Sequence, residues 1–480
     1  MNVQSPSPSR LLVLMAFVAR WLLGLVLAIW FVLLASWGVL HGWIVPRIET
    51  YRPTLERQAT RILGVPVRIG SISAETVGLM PSFELQDVAL YDPQGNVALR
   101  LPRVAAVLSP RSIWNLGFEQ LYIDAPVLDV RRARDGKIFV AVLDLGGGGA
   151  GDHSAERWFF SQTEFVIHEG QLRWTDEQRG VEPLALSHVS VLVRNTARRH
   201  AVHLDAALPP EWGGHFSADA RFRQPLLSLS TGNWQDWEGQ VFANFDQVDV
   251  SRLRHYADLG LNVDQGKGSL RLWADLARGQ LTGATADMAL LQVRARLNTQ
   301  SETLTLRAIT GRLGGKRLPQ GFEFSTQNLQ FVMTDGRRWP GGNVNVVLKT
   351  GDPKQASMPA LGELHADQLD LAALGQMANL LPLGTATHAA IKAYALQGLV
   401  EKLDAHWQGQ LSAPTQFDAK GRVSGFQAAA GSAFVEPATA TASKHIHPGR
   451  PGVVGATADF DLTQAGGTAK LAIQDRKSVV

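Results

Sequence analysis

The chain has 480 residues, of which 45% are hydrophobic and 19% are charged. This composition can bury a core, and the length suits about three domains or one extended repetitive structure. The 46 Lys and Arg residues nearly balance the 43 Asp and Glu residues, so charge gives no reason to expect a nucleic-acid partner. The lack of cysteine excludes disulfides, a thiolate nucleophile and Cys-ligated metal sites, and it suits an oxidising compartment such as the periplasm.

The first predicted element is a transmembrane anchor at residues 21–43, preceded by an N-terminal tail at residues 1–20. Residues 21–40 carry no charge, and twenty helical residues span about 30 Å, the hydrocarbon thickness of a bilayer. A cleaved signal peptide, which has a shorter apolar core, and a buried soluble helix are the lesser alternatives. The Arg residues on the two sides leave the orientation open. The residues assigned to the span are Trp21, Leu25, Ile29, Leu33, Trp37 and Leu40.

A second helix is predicted directly after the anchor, at the start of a β module at residues 44–145. Apolar residues recur at three- and four-residue spacing from Ile48 to Ile62, with Pro46 at the start and Gly64 at the end. This helix either caps the module that follows or lies along the membrane surface. We favour the capping interpretation.

From Val65 onward the apolar period becomes two, which predicts strands with one apolar and one wet face. The cleanest example is HFSADARFR at residues 215–223. We therefore predict a mainly β, largely antiparallel fold with short helical inserts at 249–260, 367–381 and 386–397. Apolar residues on the strand faces include Phe216, Phe222, Leu270 and Leu272.

A long internal repeat indicates that the β region is modular. DQVDVSRL begins at Asp246 and DQLDLAAL begins at Asp367, a separation of 367 − 246 = 121 residues. Each copy precedes a predicted short helix and a strand rich in Leu and Trp. The modules predicted after the first one are residues 153–245, 246–366 and 367–474.

A shorter repeat lies within the first two modules. IDAPVLDV aligns with IHEGQLRW, so that Ile123 matches Ile167 and Leu128 matches Leu172. Architectures of this kind bury a face only by stacking neighbouring units.

No motif for catalysis, cofactor binding or metal binding emerges. Two Gly-Lys stretches lack the Ser or Thr that a P-loop needs, no Gly-x-Ser-x-Gly elbow occurs, and HEGQL lacks the second histidine of a zinc protease. Two histidine pairs, at positions 200 and 203 and at 445 and 447, have no third ligand nearby, and we interpret them as solvent-facing. We predict no enzyme, no cofactor and no metal; an unrecognised active site is a minor alternative.

Two further sets of charged residues receive structural interpretations. Carboxylates that recur at repeat positions are interpreted as turn or cap residues rather than as acid/base pairs; they are Asp129, Asp176, Asp249 and Asp370. A small basic patch is interpreted as a solvated hairpin end, with contact to anionic lipid heads as the alternative; it consists of Arg131, Arg132 and Arg134.

The motifs after the anchor resemble those of the AsmA-like proteins of Gram-negative envelopes. The matching elements are the anchor itself, Leu-Gly-x-x-Val-x-Ile-Gly at 63–70, and Pro81 before FELQDVALYD. The continuation is similar to the YhdP branch with its DUF3971-type central region, on the segments LRWTDEQRG, HLDAALPPEWGG and LDLAALGQMANLLPL followed by HWQGQL. The resemblance covers nearly the whole chain.

The resemblance implies a single-pass protein of the inner membrane whose tail at residues 1–20 is cytoplasmic and whose bulk lies in the periplasm. Its repeating β modules would form an extended, repetitive antiparallel β-groove with an apolar inside, which would carry phospholipid towards the outer membrane without a cofactor or a covalent step. The strand-face residues chosen as candidates to line this groove are Phe216, Phe222, Leu270 and Leu272. Its expected partners are membrane phospholipids, the inner membrane and other envelope proteins. The alternative function is a structural scaffold that organises envelope partners.

The last residues of the chain depart from the strand pattern. DRKSVV at 475–480 can be back-translated into a common sequencing adapter, and the resembling proteins are considerably longer. We therefore expect the chain to be a truncated fragment with an artefactual end.

Overall fold

The computed structural model describes the protein as one large β sheet accompanied by helices. The residues described are 10–39, 42, 47–77, 80–109, 112, 117–144, 154–226, 236–256, 262–296, 303–351, 359–377, 385–410, 413–431, 434–436, 445–447, 449 and 452–472. The predicted artefactual end at 475–480 lies outside these ranges.

Six helices lie within the described ranges. They are α1 (Arg10–Val39), α2 (Ile48–Leu63), α3 (Ser154–Ser161), α4 (Val250–Leu253), α5 (Leu371–Met377) and α6 (Thr385–Tyr394). No helix formed by the described residues has the combined length and apolarity needed to cross a membrane.

The residues assigned to the anchor are only partly described. Trp21, Leu25 and Ile29 lie in α1 with exposed side chains. Leu40 and the side chains of Leu33 and Trp37 lie outside the described residues.

The strands follow one another along the chain. The first group is β1 (Val67–Arg68), β2 (Ser71–Val77), β3 (Met80–Tyr91), β4 (Val97–Val107), β5 (Gln120–Asp124), β6 (Val127–Arg132), β7 (Ile138–Val140), β8 (Leu143–Asp144) and β9 (Glu164–Asp176). The second is β10 (Leu184–Asn195), β11 (Arg199–Ala207), β12 (His215–Arg223), β13 (Glu238–Asp249), β14 (Asn262–Ala277), β15 (Gln280–Arg296), β16 (Leu304–Leu318), β17 (Gly321–Met333) and β18 (Arg338–Trp339). The third is β19 (Val344–Lys349), β20 (Leu361–Ala366), β21 (Leu369–Asp370), β22 (Gln397–Gln410), β23 (Ala413–Ala428), β24 (Phe434–Glu436), β25 (His445–His447), β26 (Val453–Thr463) and β27 (Gly466–Ala472).

All these strands except β24 and β25, which form a separate hairpin, belong to a single sheet. Consecutive strands pair antiparallel along most of it. The exception is the interrupted strand formed by β5 and β6, which pairs parallel to β9. A parallel pair needs a crossover connection, and here it contains β7, β8 and α3. The prediction of a mainly β, largely antiparallel structure is therefore confirmed.

Helix α2 covers the first edge of the sheet with side-chain hydrogen bonds. Backbone N–H groups at residues 67–72 donate to it as follows: Val67 to Thr60 Oγ1 (3.0 Å), Ile69 to Glu56 Oε1 (2.8 Å) and Ile72 to Glu49 Oε2 (3.2 Å). Ala59 and Leu63 pack on the core of the first module, and Gly64 ends the helix with a φ of 73°. The structure agrees with the capping interpretation. An edge covered in this way cannot pair with another strand.

The long strands bend at bulges, and these bulges lie near the same end of the strands across the sheet. A bulge adds one residue to a strand, which bends it and increases its twist. Five non-glycine residues within strands have a positive φ: Asp87, Glu169, His188, Gln292 and Asn328. Register shifts in β13, β16, β22 and β23 continue this line of bulges.

The two copies of the 121-residue repeat fold alike at their start. Helix α4 begins at Val250 and α5 begins at Leu371, again 371 − 250 = 121 residues apart. Asp249 Oδ1 accepts the backbone N–H of Ser251 at 3.1 Å, and Asp370 Oδ1 accepts that of Ala373 at 2.9 Å. The cap interpretation of these two carboxylates is confirmed, and both helices are shorter than the predicted inserts.

Candidate functional site: an apolar face across the sheet

One row of residues crosses twelve strands of the sheet without a polar side chain. Residues directly opposite each other in neighbouring strands point to the same face, so the register defines the row. We call it the central row; its members are Val202, Ala220, Val241, Ala274, Ala284, Gly315, Phe324, Val346, Leu364, Ala405, Ala419 and Leu462. At about 4.8 Å between strands, the row is roughly 50 Å long.

The neighbouring row on the same face is apolar except at one position. It consists of Leu204, Ala218, Ala243, Leu272, Ala286, Leu313, Thr326, Val344, Ala366, Leu403, Gly421 and Phe460. The hydroxyl of Thr326 is buried and accepts the backbone N–H of Val344 at 3.1 Å, so it presents no free polar group. We call the surface formed by these two rows and their flanking residues the apolar face.

The opposite face is mostly polar. Its central row consists of His203, Asp219, Phe242, Trp273, Thr285, Gly314, Ser325, Asn345, His365, Asp404, Lys420 and Asp461. Ion pairs bridge strands on this face: Arg312 holds Asp287 at 2.5 Å and lowers its pKa through that hydrogen bond. Along the central row, every ionisable residue thus lies on this face and none lies on the apolar face.

The apolar face is covered at the end where the strands bulge. Val250 of α4 and Ala373 and Met377 of α5 are buried there in the main hydrophobic core. Val293 and Leu306 lie in the same core, close to the bulges in β15 and β16. This end of the face is therefore an ordinary closed core.

At the opposite end of the strands, the apolar face is open to solvent. This opening lies in the C-terminal half of the sheet. The side chains of Phe322, Phe324, Leu348, Phe417 and Leu462 are all exposed there. Three of them lie on the adjacent strands β17 and β19, and two lie on the adjacent strands β23 and β26; exposed apolar patches usually mark binding surfaces. None of these residues was among the predicted groove residues, although GFEF at 321–324 carries the same alternating signal as those candidates.

A close contact shapes this open part of the face. The indole of Trp407 lies over Gly362, directly opposite in β20, so closely that a Cβ at position 362 would lie 2.0 Å from the ring. Glycine is therefore required at this position. The ring is buried between strands, while Phe417 beside it in the row stays exposed.

All four candidate groove residues lie on the apolar face, but they do not form one site. Phe216 stacks on Phe245 at 5.3 Å, and Phe245 lies opposite Leu270. Leu272 is two residues further along the same strand. Phe222 lies at the far end of β12, against Trp237. Leu270 is only 5% exposed and belongs to the closed core.

An aromatic cluster beneath α3 covers the N-terminal end of the face. His200 stacks on Trp237 at 3.8 Å with the rings nearly parallel, and Phe160 of α3 packs on both. Asn195 Nδ2 donates to the Gln162 carbonyl, so its Oδ1 accepts a hydrogen bond from His200 Nδ1 (2.8 Å). Burial lowers the pKa of His200 to about 4.

Two sequence interpretations of charged or polar residues are wrong. His200 is buried, not solvent-facing, because residues three apart in a strand lie on opposite faces and only His203 faces outwards. Arg132 is not a solvated hairpin end: it pairs with Asp176, whose side chain is 1% exposed. Burial raises the pKa of Asp176, but hydrogen bonds from Arg132 and the backbone of Arg179 outweigh it, and the pKa is lowered. The side chains of the histidines at 445 and 447 lie outside the described residues.

The chain is thus an extended-sheet protein that presents one apolar and one mostly polar face across twelve strands. A family model described as YhdP protein matches residues 3–479, and the chain belongs to this family. A curated relative, the "Intermembrane phospholipid transporter YhdP" of Escherichia coli (strain K12), is 22% identical over 312 residues. The alignment covers 62% of this chain and 22% of the relative. No solved structure matches the chain.

Proposed function

We propose that the protein carries phospholipid acyl chains along its apolar face in the periplasm, between the inner membrane and the outer membrane. The observation that carries this proposal is the central row, which runs roughly 50 Å across twelve strands without a polar side chain. Each CH₂ group that leaves water gains about 0.8 kcal/mol. A uniform apolar lining has no preferred stopping point, so lipid can move along it without a chemical step.

The open end of the face supplies the entry for acyl chains. Exposed Phe324 and Leu348 lie on adjacent strands, and a lipid placed there would bury their side chains while its headgroup stayed in water. The name of the curated relative, an intermembrane phospholipid transporter, supports the same class of ligand. No catalytic residue takes part in this proposal.

The second part of the proposal is an inner-membrane anchor at α1, with the bulk of the chain in the periplasm. Its support is the sequence: residues 21–40 carry no charge, and about 20 such residues suffice to cross the roughly 30 Å of bilayer hydrocarbon. The exposed apolar side chains of Trp21, Leu25 and Ile29 are the kind that lipid would cover. Because the chain has no cysteine, single cysteines can report topology. A maleimide that cannot cross the inner membrane is expected to label Ser217→Cys from the periplasm and to leave Ser5→Cys unlabelled.

The lipid proposal is tested by a photo-crosslinking amino acid placed at single positions of the full chain in cells. Phe417 and Leu361 are a matched pair, because each is 37% exposed but Leu361 lies on the polar face, opposite Lys349. Phospholipid adducts, identified by mass spectrometry, are expected at Phe417 and Phe324 and not at Leu361. A folded protein without adducts at Phe417 and Phe324, or with equal adducts at Leu361, would reject the proposal and favour the scaffold function.

A further inference from the structure

Three potential metal ligands converge on the polar face. His365 of β20 lies directly opposite Asp404 of β22, and His406 follows two residues later on the same face. The distance from His365 Nδ1 to Asp404 Oδ1 is 3.0 Å, and that from His406 Nε2 to the same oxygen is 3.6 Å. Within the described part of the chain, this is the one group of three His, Asp or Glu residues whose ligand atoms all lie within 4.8 Å of one another.

A fourth residue holds one of the histidines in the orientation that a ligand needs. His406 Nδ1 lies 3.0 Å from Asp418 Oδ2 on the next strand. If Nδ1 carries the proton and donates it to this carboxylate, the lone pair of Nε2 faces Asp404 and His365. Histidines that bind metals usually make such a second hydrogen bond to a carboxylate, which fixes the tautomer.

We propose that His365, Asp404 and His406 bind a divalent transition-metal ion of the Zn²⁺ type. Bonds of about 2.0–2.1 Å to nitrogen and oxygen place neighbouring ligand atoms of a tetrahedral ion about 3.4 Å apart. The separations of 3.0 Å and 3.6 Å from Asp404 lie on either side of this value, and the two histidine nitrogens lie within 4.8 Å of each other, so binding requires side-chain rotations that draw the three groups together. Two imidazoles and one carboxylate are ligands that suit Zn²⁺. The ion would join β20 to β22 and leave one position for water.

The surrounding charges leave the carboxylates of the site available to a cation. Lys349 pairs with Glu363 at 2.9 Å, and Lys420 pairs with Asp461 at 3.3 Å. Each of these lysines is thus matched by a carboxylate outside the proposed ligand set. Asp404 and Asp418 have histidine partners, and a bound cation would neutralise them.

A second cluster on the polar face provides the control. His203 lies between two carboxylates: its Nδ1 is 2.8 Å from Asp219 Oδ1 and its Nε2 is 2.5 Å from Asp205 Oδ2. The hydrogen bond to Asp219, followed by that to Asp205, raises the pKa of His203 against the effect of burial. Both ring nitrogens of His203 thus lie within hydrogen-bonding distance of a carboxylate, whereas in His406 only Nδ1 does. We therefore expect no metal ion there.

The test is Zn²⁺ titration calorimetry of the full chain in detergent after treatment with a chelator, with visible absorption of bound Co²⁺ as a second readout. One Zn²⁺ per chain is expected. His365→Ala and His406→Ala should each weaken binding at least tenfold, and Asp418→Asn should weaken it about 10–100-fold. His203→Ala should leave it unchanged.

Two outcomes would overturn the proposal. One is a wild-type chain that binds no Zn²⁺ and gives no Co²⁺ absorption band. The other is Zn²⁺ binding that persists unchanged in His365→Ala and His406→Ala, since the ion would then be held elsewhere. Both histidines have exposed side chains, so the metal-free variants should unfold at the wild-type temperature, which separates lost ligands from lost fold. Lipid plays no part in either readout.

Discussion

Ile123 lies directly opposite Ile167 in the parallel pair of β5 and β9, 44 residues later in the chain. Leu128 and Leu172 are paired with the same offset. The two copies of the short repeat therefore lie side by side and in register. Even their bends match: Ala125 has a φ of 45°, and Glu169, at the same offset of 44, has a φ of 52°.

We predict that Ala125→Gly stabilises the fold. The left-handed region costs an L-residue roughly 1–2 kcal/mol, and glycine adopts it freely, so the free energy of unfolding should rise by about 1 kcal/mol after the entropy cost of glycine. Urea unfolding of the full chain in detergent is the measurement. Ala185→Gly, at an exposed position of β10 without a positive φ, is the control and should lower stability by about 0.5–1 kcal/mol. Equal losses at both positions would contradict the strain argument.

Arg132→Ala should destabilise the fold far more than Arg131→Ala. Removing Arg132 leaves Asp176 buried without its cation, which costs about 3–5 kcal/mol. Arg131 pairs with Glu177 at 3.0 Å, but both side chains are well exposed, and such pairs contribute at most about 1 kcal/mol. Urea unfolding of the two variants compares neighbouring arginines directly. Similar losses of stability in Arg132→Ala and Arg131→Ala would mean that another group pairs with Asp176 when Arg132 is removed.

Stability should fall on acidification because of His200. Its folded pKa of about 4 lies below the unfolded value of about 6.5, so the unfolded state takes up a proton first as the pH falls. The contribution of His200 to the free energy of unfolding is fully present above pH 6.5 and is lost between pH 6.5 and 4. The total loss is roughly 3 kcal/mol. Thermal unfolding of the wild type and of His200→Phe across this range is the measurement. Parallel curves for the two proteins would refute the assignment.

Gly362→Ala should destabilise the open end of the apolar face. The added methyl group would overlap the Trp407 ring, and overpacking of this kind typically costs about 1–3 kcal/mol. Gly214→Ala is the control, because a methyl group added there would have no neighbour within 4 Å, and it should change stability by no more than about 0.5 kcal/mol. Urea unfolding would show the difference, and equal stabilities would mean that the ring moves aside without cost.

Much of the fold could be predicted because each strand encodes its own two faces. The alternation at 215–223 predicted β12 with its observed bounds, and the same pattern separates apolar from ionisable residues along the central row. The position of His200 could also have been predicted, since residues three apart in a strand cannot share a face.

The contacts between strands could not be predicted from the same pattern. His365 reaches Asp404, and Trp407 reaches Gly362, only because β20 pairs with β22 in one particular register. The bulges change register along each pair, and a shift of one residue would exchange the two faces. The alternation in the sequence therefore predicted which residues share a face. The register of strand pairing determined which residues of that face contact each other.

The length and the width of the apolar face depend on different features of the sheet. The number of strands sets the length, and the line of bulges shapes the cross-section. A bulged strand bends at its own extra residue, and such bulges recur from strand to strand across the sheet. Inserting or deleting a hairpin would therefore lengthen or shorten the face by about two strand spacings, roughly 10 Å, and leave its cross-section unchanged. A gene encoding such a sheet can adjust the distance it spans by duplication alone, without redesigning the surface that the cargo meets.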